Sequence, residues 1–126
     1  MNIPANLKFS QSDEWFDPAS GKMGLTDYAQ DQLSDIVFVE FLVDEGEEVE
    51  VGTAIASVES VKASAEVYAT AAGTVAALNE ALEDSPELIN SDPYGEAWLI
   101  QVDDGTGGDD LMDAATYEKY CEERDH

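Results

Sequence analysis

Lys62 is the residue of this sequence whose type and surroundings most clearly suggest chemistry. It lies at the centre of a segment of small, apolar and acidic residues, VESVKASAEVYA (58–69). The chain of 126 residues has five Lys and Arg against 29 Asp and Glu, so a cation in this setting needs a reason. The amine of Lys62 could form a salt bridge, or it could be a point of covalent attachment. Its position alone leaves both open.

The sequence lacks most of the side chains that enzymes use as catalysts. Its one histidine, His126, is the last residue, which argues against a Ser-His or Cys-His dyad and against a histidine metal cluster. Cys121 is predicted to pack in the core, and the acidic segment 103–110 lacks the ligand spacing of a calcium loop. We therefore expect no metal and no enzyme activity of the chain itself, and we expect its chemistry to come from a cofactor.

The net charge of −24 restricts the possible partners. Nucleic acid and anionic membranes would repel such a chain, so partner proteins are expected to offer basic or neutral docking faces. Repulsion between molecules favours a monomer. Adaptation to high salt is an alternative origin of the acid excess, and composition leaves both origins open.

Length and composition predict one domain over residues 1–126. No apolar run approaches the ~20 residues of a membrane span, and the first residues show neither a signal nor a transit pattern. The single cysteine suits a reducing compartment. The cytoplasm is the expected location, or the mitochondrial matrix if a transit peptide has been removed.

The elements that must position Lys62 can be predicted from the pattern. Strands EWF (14–16) and KMGL (22–25) flank a Pro/Gly turn, and Thr26 is expected to cap a short helix at 27–33. A β-prone run spans 35–43. The remaining predicted strands are 53–60, 64–70, 74–79 and 96–104, with a turn at 71–73, a turn-rich segment at 80–95 and a flexible joint at 104–110.

Two further predictions follow from this arrangement. Strands 53–60 and 64–70 meet at residues 61–63, so Lys62 is expected at a hairpin tip that is open to a modifying enzyme. A C-terminal amphipathic helix is expected over 111–125, with an apolar face formed by Leu111, Ala115, Tyr117 and Cys121. The fold class is mainly β, a small barrel or sandwich with short helices.

Three segments resemble the glycine cleavage system H protein family. VESVKA (58–63) resembles its lipoyl-attachment motif, and GLTDYAQDQLSDIVFVE (24–40) and NEALEDSPELINSDPYGEAWL (79–99) resemble its two longer signatures. The resemblance runs from about Leu7 to Cys121. It implies a lipoyl/biotinyl-type β-barrel-sandwich hybrid with an N-terminal hairpin, a short helix and a C-terminal helix.

Two sister families place a lysine at a similar hairpin. Biotin carriers set it between two methionines, whereas Val61 and Ala63 flank Lys62 here. Lipoyl domains of 2-oxo-acid dehydrogenases usually show an Asp-Lys-Ala tip and a second half-repeat, which segment 79–99 does not provide. The H protein family fits better than either.

The resemblance implies a carrier role. Lipoate would be amide-linked to Lys62 and would shuttle the aminomethyl group of glycine from a pyridoxal-phosphate decarboxylase to a folate-dependent aminomethyltransferase. Dihydrolipoamide dehydrogenase would reoxidise it, and lipoylating enzymes would attach it. The alternative function is a lipoyl relay that hands octanoyl or lipoyl groups to other enzymes or serves sulfur oxidation. An interaction domain with an unmodified lysine is a third possibility.

The resemblance also implies roles for particular residues. The family folds its charged arm against a Ser-His-Glu-Trp motif, and the matching positions here are 12–15, so Ser12 and Glu14 are expected to cradle the arm. Asp13 replaces the histidine of that motif. Glu66 matches an acidic position four residues after the lysine and is a third candidate for the cradle. Glu59 is either a plain surface carboxylate or a recognition point for the lipoylating enzyme.

Overall fold

The computed structural model describes residues 3–108 and 110–124 of the chain, so His126 lies outside the described residues. The strands within these ranges are β1 (Lys8–Phe9), β2 (Glu14–Phe16), β3 (Lys22–Leu25), β4 (Ile36–Phe41), β5 (Glu48–Val49), β6 (Ala54–Ser60), β7 (Ser64–Tyr68), β8 (Ala71–Leu78) and β9 (Ile100–Gly107). The helices are α1 (Asp27–Leu33), α2 (Ala81–Asp84), α3 (Leu88–Ser91) and α4 (Ala114–Arg124).

The strands form two antiparallel sheets around a shared apolar core. One sheet has six strands in the order β1-β2-β3-β9-β8-β5, and the other has three in the order β4-β6-β7. Met23 and Ile100 enter the core from the larger sheet, and Val39 and Val58 enter it from the smaller one. The mainly β class with an N-terminal hairpin, a short helix and a C-terminal helix is therefore confirmed.

The N-terminal hairpin and the first helix form where the sequence predicts them. Trp15 of β2 pairs with Gly24 of β3, which fixes the register of this hairpin. The hydroxyl of Thr26 accepts the N–H of Ala29 at 3.1 Å, so the predicted N-cap of α1 is present. Strand β2 thereby holds Glu14 and Trp15 next to the start of α1.

The predicted turn at 71–73 is wrong, because these residues belong to β8. Ala71 pairs with Gly107 and Ala72 with Thr106. Gly73 is needed for close packing of neighbouring strands, since a Cβ atom there would lie 2.7 Å from the carbonyl oxygen of Asp103. The small residues that suggested a turn instead allow β8 and β9 to approach each other.

The last strand is displaced from its predicted position. It was expected at 96–104, but β9 begins at Ile100 and continues to Gly107, so strand replaces residues 104–107 of the joint predicted at 104–110. A Cβ atom at Gly107 would lie 3.0 Å from the Leu111 side chain and 3.5 Å from the ring of Phe16. The glycines of this segment therefore serve close packing. Asp109 of the predicted joint lies outside the described residues.

The predicted turn-rich segment at 80–95 contains the single-turn helices α2 and α3, which bury Leu82 and Ile89. Helix α4 begins at Ala114, later than the predicted position 111.

Helix α4 packs on a second apolar cluster, beside β1 and β2. Tyr117 and Cys121 are fully buried there with Phe9 and Trp15, so the prediction of a core role for Cys121 is confirmed. The predicted apolar face is wrong in two members, because Leu111 precedes the helix and Ala115 is exposed. None of the helices in the described part of the chain is long and apolar enough to span a membrane.

Candidate functional site

Lys62 lies at the tip of the β6–β7 hairpin, as predicted, and its side chain is exposed. The N–H of Ser60 donates to the carbonyl of Ala63 at 2.8 Å and closes the turn. The Ser60 hydroxyl accepts the N–H groups of Lys62 (3.1 Å) and Ala63 (3.0 Å) and donates to the Ala63 carbonyl (3.0 Å). The N–H of Val61 donates to the backbone carbonyl of Asp35 at 3.1 Å. The backbone of the tip is thus well fixed while the amine extends into solvent.

The surroundings of Lys62 help to decide whether it forms a salt bridge or is a point of covalent attachment. Within residues 3–108 and 110–124 the ion pair found joins Arg124 to Asp13. Glu59, three residues before the lysine, is exposed on β6. A salt bridge therefore does not account for Lys62 in the described part of the chain.

Glu14 is a buried carboxylate at the start of β2, with 1% of its surface exposed. Its Oε1 accepts the hydroxyls of Ser10 (2.6 Å) and Ser12 (2.5 Å). Its Oε2 accepts the backbone N–H of Tyr68 at 3.2 Å, which connects β2 to the end of the β6–β7 hairpin. All three donors are neutral.

Two opposing effects act on the pKa of Glu14. Burial raises the pKa from the ordinary value of 4.5, because desolvation disfavours the charged form, and the negative charge of Asp13 adds to the rise. The hydrogen bonds from Ser10, Ser12 and Tyr68 lower it, but the net shift is upward. A cation that entered beside Glu14 would favour the ionised form and lower this pKa.

Glu14 lines a cleft of about 570 Å³ that lies between the loop before β2, the end of the β6–β7 hairpin and helix α4. Its lining combines polar and aromatic residues with apolar ones, namely Ser10, Ser12, Glu14, Tyr68, Thr70, Asp110 and Tyr120, together with Val51 and Leu111. One buried carboxylate, several hydroxyls and two aromatic rings suit a small cationic group that must be kept from water.

The structure brings two of the predicted cradle residues together and leaves the others apart. Ser12 and Glu14 are in direct contact and line the cleft. Glu66 lies on the exposed side of β7, opposite Ser57 of β6, and is not among the residues that line the cleft. Glu59 lies on the exposed side of the same sheet, nearer to the tip.

Sequence reasoning missed several residues of this site. Ser10 both donates to the Glu14 carboxylate and accepts the Glu14 N–H at 3.0 Å, and its spacing of four residues before Glu14 was an available signal. Ser60, which fixes the tip, could also have been found from the sequence, since serine hydroxyls often form hydrogen bonds with the backbone of their own turn. Tyr68 and Thr70 reach the cleft only through folding, more than 50 residues from Glu14.

Asp13, in place of the histidine expected from the resemblance, joins the loop before β2 to helix α4. Its Oδ1 accepts from Arg124 Nη2 at 2.6 Å and from the hydroxyl of Tyr117 at 2.9 Å. The Arg124 guanidinium also lies 4.3 Å from the ring centres of both Tyr28 and Tyr120. Asp13 has a φ of 73°, a left-handed conformation that Asp and His tolerate better than most residues. Both residue types therefore suit this backbone position.

An exposed lysine at the tip of a fixed hairpin, whose other end lines a cleft with one buried carboxylate, is the arrangement of a carrier domain. The comparisons with known proteins agree. The family model for the glycine cleavage H-protein matches residues 7–124. The chain is 48% identical to the glycine cleavage system H protein of Idiomarina loihiensis, with 97% of this chain and 98% of the relative covered.

Two further comparisons point the same way. The H protein of Psychrobacter cryohalolentis is 54% identical over 80% of this chain and 82% of its own length. A crystal structure of the H protein from Mycobacterium marinum superimposes with a TM-score of 0.84 at 32% identity, covering 97% of this chain and 98% of that one. The chain belongs to the glycine cleavage H-protein family, and the predicted fold is confirmed. Its role is that of the lipoyl-bearing shuttle of the glycine cleavage system.

Proposed function

We propose that Lys62 carries lipoate in amide linkage and that the cleft around Glu14 shelters the aminomethyl cargo between enzymes. The chain acts as one non-catalytic carrier domain. The observation that carries this proposal is the buried Glu14 carboxylate, which faces the cleft and is held by neutral donors alone. Such a group is ready to pair with a cationic amine.

The residues present fit lipoate at Lys62. The exposed amine extends from a turn that Ser60 holds in shape, so an acylating enzyme can reach it without unfolding the hairpin. When bound, lipoate supplies the sulfur atoms that carry the cargo. The chain itself supplies only position, shelter and charge.

Glu14 and its partners bind the cargo. The ionised carboxylate accepts from the cationic amine, and a charge-assisted hydrogen bond of this kind contributes about 1.5–3 kcal/mol. Ser10 and Ser12 donate to Oε1 and so hold the carboxylate in one orientation. An amine that pairs with Glu14, which is buried, has less contact with water, and this protects the cargo against hydrolysis.

Strand β7 connects the two parts of the site. Ser64, Glu66 and Tyr68 alternate along its exposed side, which leads from the hairpin tip toward the cleft. From Lys62 to Tyr68 the strand spans roughly 20 Å, at about 3.3 Å per residue. Glu66 lies between the two ends and is proposed as an intermediate contact for the positive charge on its way to Glu14.

The partners that this role requires are glycine decarboxylase, the aminomethyltransferase, dihydrolipoamide dehydrogenase and the lipoylating enzymes. We propose that Glu59, exposed three residues before Lys62, contacts the lipoylating enzyme. The cytoplasm stays the predicted location, on the basis of the single cysteine.

The test compares lipoylation of wild type and Lys62→Arg, and their ability to support glycine decarboxylation. Lys62→Arg keeps the charge but cannot be acylated, so intact mass and mapping of residues 58–69 are expected to show a lipoyl increment on wild type and none on this variant. Lys119→Arg, an exposed lysine of α4, is the matched control and should be lipoylated and support glycine decarboxylation like wild type.

Two results would contradict the proposal. A lipoyl increment that persists in Lys62→Arg would move the attachment site. A lipoylated chain that glycine decarboxylase rejects, but that hands its acyl group to another enzyme, would favour the lipoyl-relay function.

A further inference from the structure

A patch of exposed apolar side chains lies beside the hairpin tip. Val37 and Phe38 of β4 are 54% and 48% exposed, and Val61 of the turn is 68% exposed. The pairing of β4 with β6 shifts register between Ile36 and Phe38. Because of this bulge, two successive apolar residues face solvent where a regular strand would bury one of them. We call Val37, Phe38 and Val61 the tip patch.

The tip patch borders the turn that carries Lys62. Ile36 of β4 pairs with Ser60, the first residue of the turn, and Phe38 pairs with Glu59. The bond from the Val61 N–H to Asp35 fixes the turn against the same end of β4. The lysine and the patch therefore belong to one continuous, well-ordered surface.

Carboxylates line the remainder of this surface. Phe38, Glu59 and Ser64 form one cross-strand row, and Glu40, Ser57 and Glu66 form the next, on the exposed side of the sheet. Glu40 and Glu66 are two strands apart, about 10 Å, so they repel each other. The other described cations, Lys8, Lys22, Lys119 and Arg124, lie on β1, β3 and α4. Unpaired apolar and acidic groups on one sheet face weaken the fold, and a partner would offset that cost.

We propose that the tip patch and its acidic border are the docking surface for the enzyme that acylates Lys62. That enzyme presents an apolar pocket or ridge to Val37 and Phe38, bordered by Lys and Arg side chains that face Glu40 and Glu59. This inference rests on the proposed attachment site at Lys62 and adds to it the surface and the chemistry of the partner.

The distance to the amine selects this partner among those that the carrier meets. Nζ lies five bonds from the Lys62 Cα, about 6 Å at roughly 1.2 Å per bond, so an enzyme that acts on it must contact the tip itself. An interface of about 800 Å² per partner, a disc of roughly 16 Å radius, then includes Val37 and Phe38. Enzymes that act on the far end of an attached group have no such requirement.

The acylation step also suits this surface. The neutral Nζ attacks the carbonyl carbon of an activated acyl donor such as lipoyl adenylate, the new N–C bond forms, AMP leaves with the electron pair of the broken C–O bond, and the amine proton passes to solvent. The neutral amide that results replaces the ammonium group of the free lysine. After acylation the surface around the tip is more acidic, while the apolar side chains of the tip patch are unchanged.

The experiment measures acylation and binding separately. Wild type, Phe38→Ser and Val37→Ser are each incubated with a lipoate ligase, ATP and lipoate. The rate of lipoylation is followed by the lipoyl mass increment at several protein concentrations, which gives KM for the protein substrate. Each variant is expected to raise KM about tenfold, as interface hot spots do. Glu40→Gln is expected to raise it about threefold at low salt, with the difference lost at high salt. Leu42→Ser is the apolar control, exposed just beyond the far end of β4, and Glu83→Gln on α2 is the acidic one.

Binding by calorimetry uses proteins that cannot be acylated. Lys62→Arg is expected to bind the ligase and to compete with wild type, while Lys62→Arg/Phe38→Ser binds about tenfold more weakly. Thermal unfolding confirms that each variant is folded. Equal binding by the two Lys62→Arg proteins, or equal KM for wild type, Phe38→Ser and Val37→Ser, overturns the docking surface. If wild type binds the ligase through the tip patch but is lipoylated at a residue other than Lys62, the proposed attachment site is wrong and the docking surface is still supported.

Discussion

At the scale of single residues, Glu14 combines a structural cost with a functional use. Burial raises its pKa, so the folded chain binds a proton more tightly than the unfolded chain does. The resulting stability is fully present below the unfolded pKa near 4.5 and is lost as the pH rises through the folded pKa. Above the folded pKa the ionised carboxylate therefore destabilises the empty carrier, and binding of a cationic cargo offsets that cost.

Glu14→Gln separates these two effects. The amide can keep the contacts to Ser10, Ser12 and Tyr68 but cannot ionise, so the stability of the variant relative to wild type should increase as the pH is raised from about 4. Its loaded form should lose the cargo at least about tenfold faster, since one charge-assisted hydrogen bond is removed. Thermal unfolding against pH and the decay of the loaded carrier measured by mass check both. Glu83→Gln, an exposed control, should change neither, and an unchanged decay rate in Glu14→Gln would exclude Glu14 as the cargo ligand.

Residues of the site differ in how far the sequence could predict them. Lys62, Ser12 and Glu14 stand in short motifs, so a resemblance was enough to propose them. The partner of Asp13 could not be found in this way, because Arg124 is 111 residues away and meets it through the packing of α4 on the N-terminal hairpin. Contacts at such separation depend on topology, which local patterns do not contain.

At the scale of elements, helix α4 is fixed to the cleft by the Asp13–Arg124 pair. The two side chains are 19% and 28% exposed. Arg124 also packs on Tyr120, whose hydroxyl donates to the backbone carbonyl of Gln11 at 3.2 Å. Tyr120 is one wall of the cleft. Loss of the ion pair should therefore loosen both the helix and the loop that presents Ser12.

A double-mutant cycle with Asp13→Asn and Arg124→Gln tests this link. Each single variant should lower the free energy of unfolding by about 1–2 kcal/mol, and the coupling between them should be about 1 kcal/mol, because either change alone leaves a partly buried charge without its partner. Arg124→Lys should restore part of the loss, since it keeps the charge but not the stacking on Tyr28 and Tyr120. Urea unfolding measures the coupling. A value near zero would mean that α4 is held by its apolar contacts and by the hydroxyl hydrogen bonds of Tyr117 and Tyr120, and not by the ion pair.

The same pair should affect the cleft as well as the stability. Release of the loaded cargo is expected to be about threefold faster in Arg124→Gln, and Arg124→Lys should lie between this variant and wild type. If the pair has a purely structural role, Arg124→Gln will lower the unfolding temperature but will leave the rate of cargo release from the folded protein unchanged.

Element prediction succeeded where the local pattern matched the final structure and failed where glycine had two possible uses. The Thr26 cap and the hairpin around Lys62 are determined by neighbours in the sequence, and both are confirmed. Gly73 and Gly107 suggested a turn and a joint, but each allows close packing inside a strand. Whether a glycine serves a turn or a close approach depends on what packs against it, which the sequence alone does not reveal.

At the scale of the whole molecule, the net charge of −24 has opposite consequences for folding and for docking. Within one chain the carboxylates repel each other, and salt screens this repulsion, so the folded state should gain stability as ionic strength rises. Between the carrier and a basic partner the same charges attract, and salt weakens that attraction.

Measured on the same wild-type protein, these two responses should diverge. The unfolding temperature is expected to rise by roughly 5 °C between about 0.05 and 1 M salt, because a domain of this size shifts by about 4 °C for each kcal/mol. Over the same range KM for the carrier in the dihydrolipoamide dehydrogenase reaction should increase several-fold. Thermal unfolding at each salt concentration and steady-state kinetics with lipoylated carrier provide the two curves. Free dihydrolipoamide as the substrate controls for salt effects on the enzyme itself. If KM for the carrier stays flat while the unfolding temperature rises, the acid excess serves the chain's own tolerance of salt, and recognition by dihydrolipoamide dehydrogenase does not depend on charge.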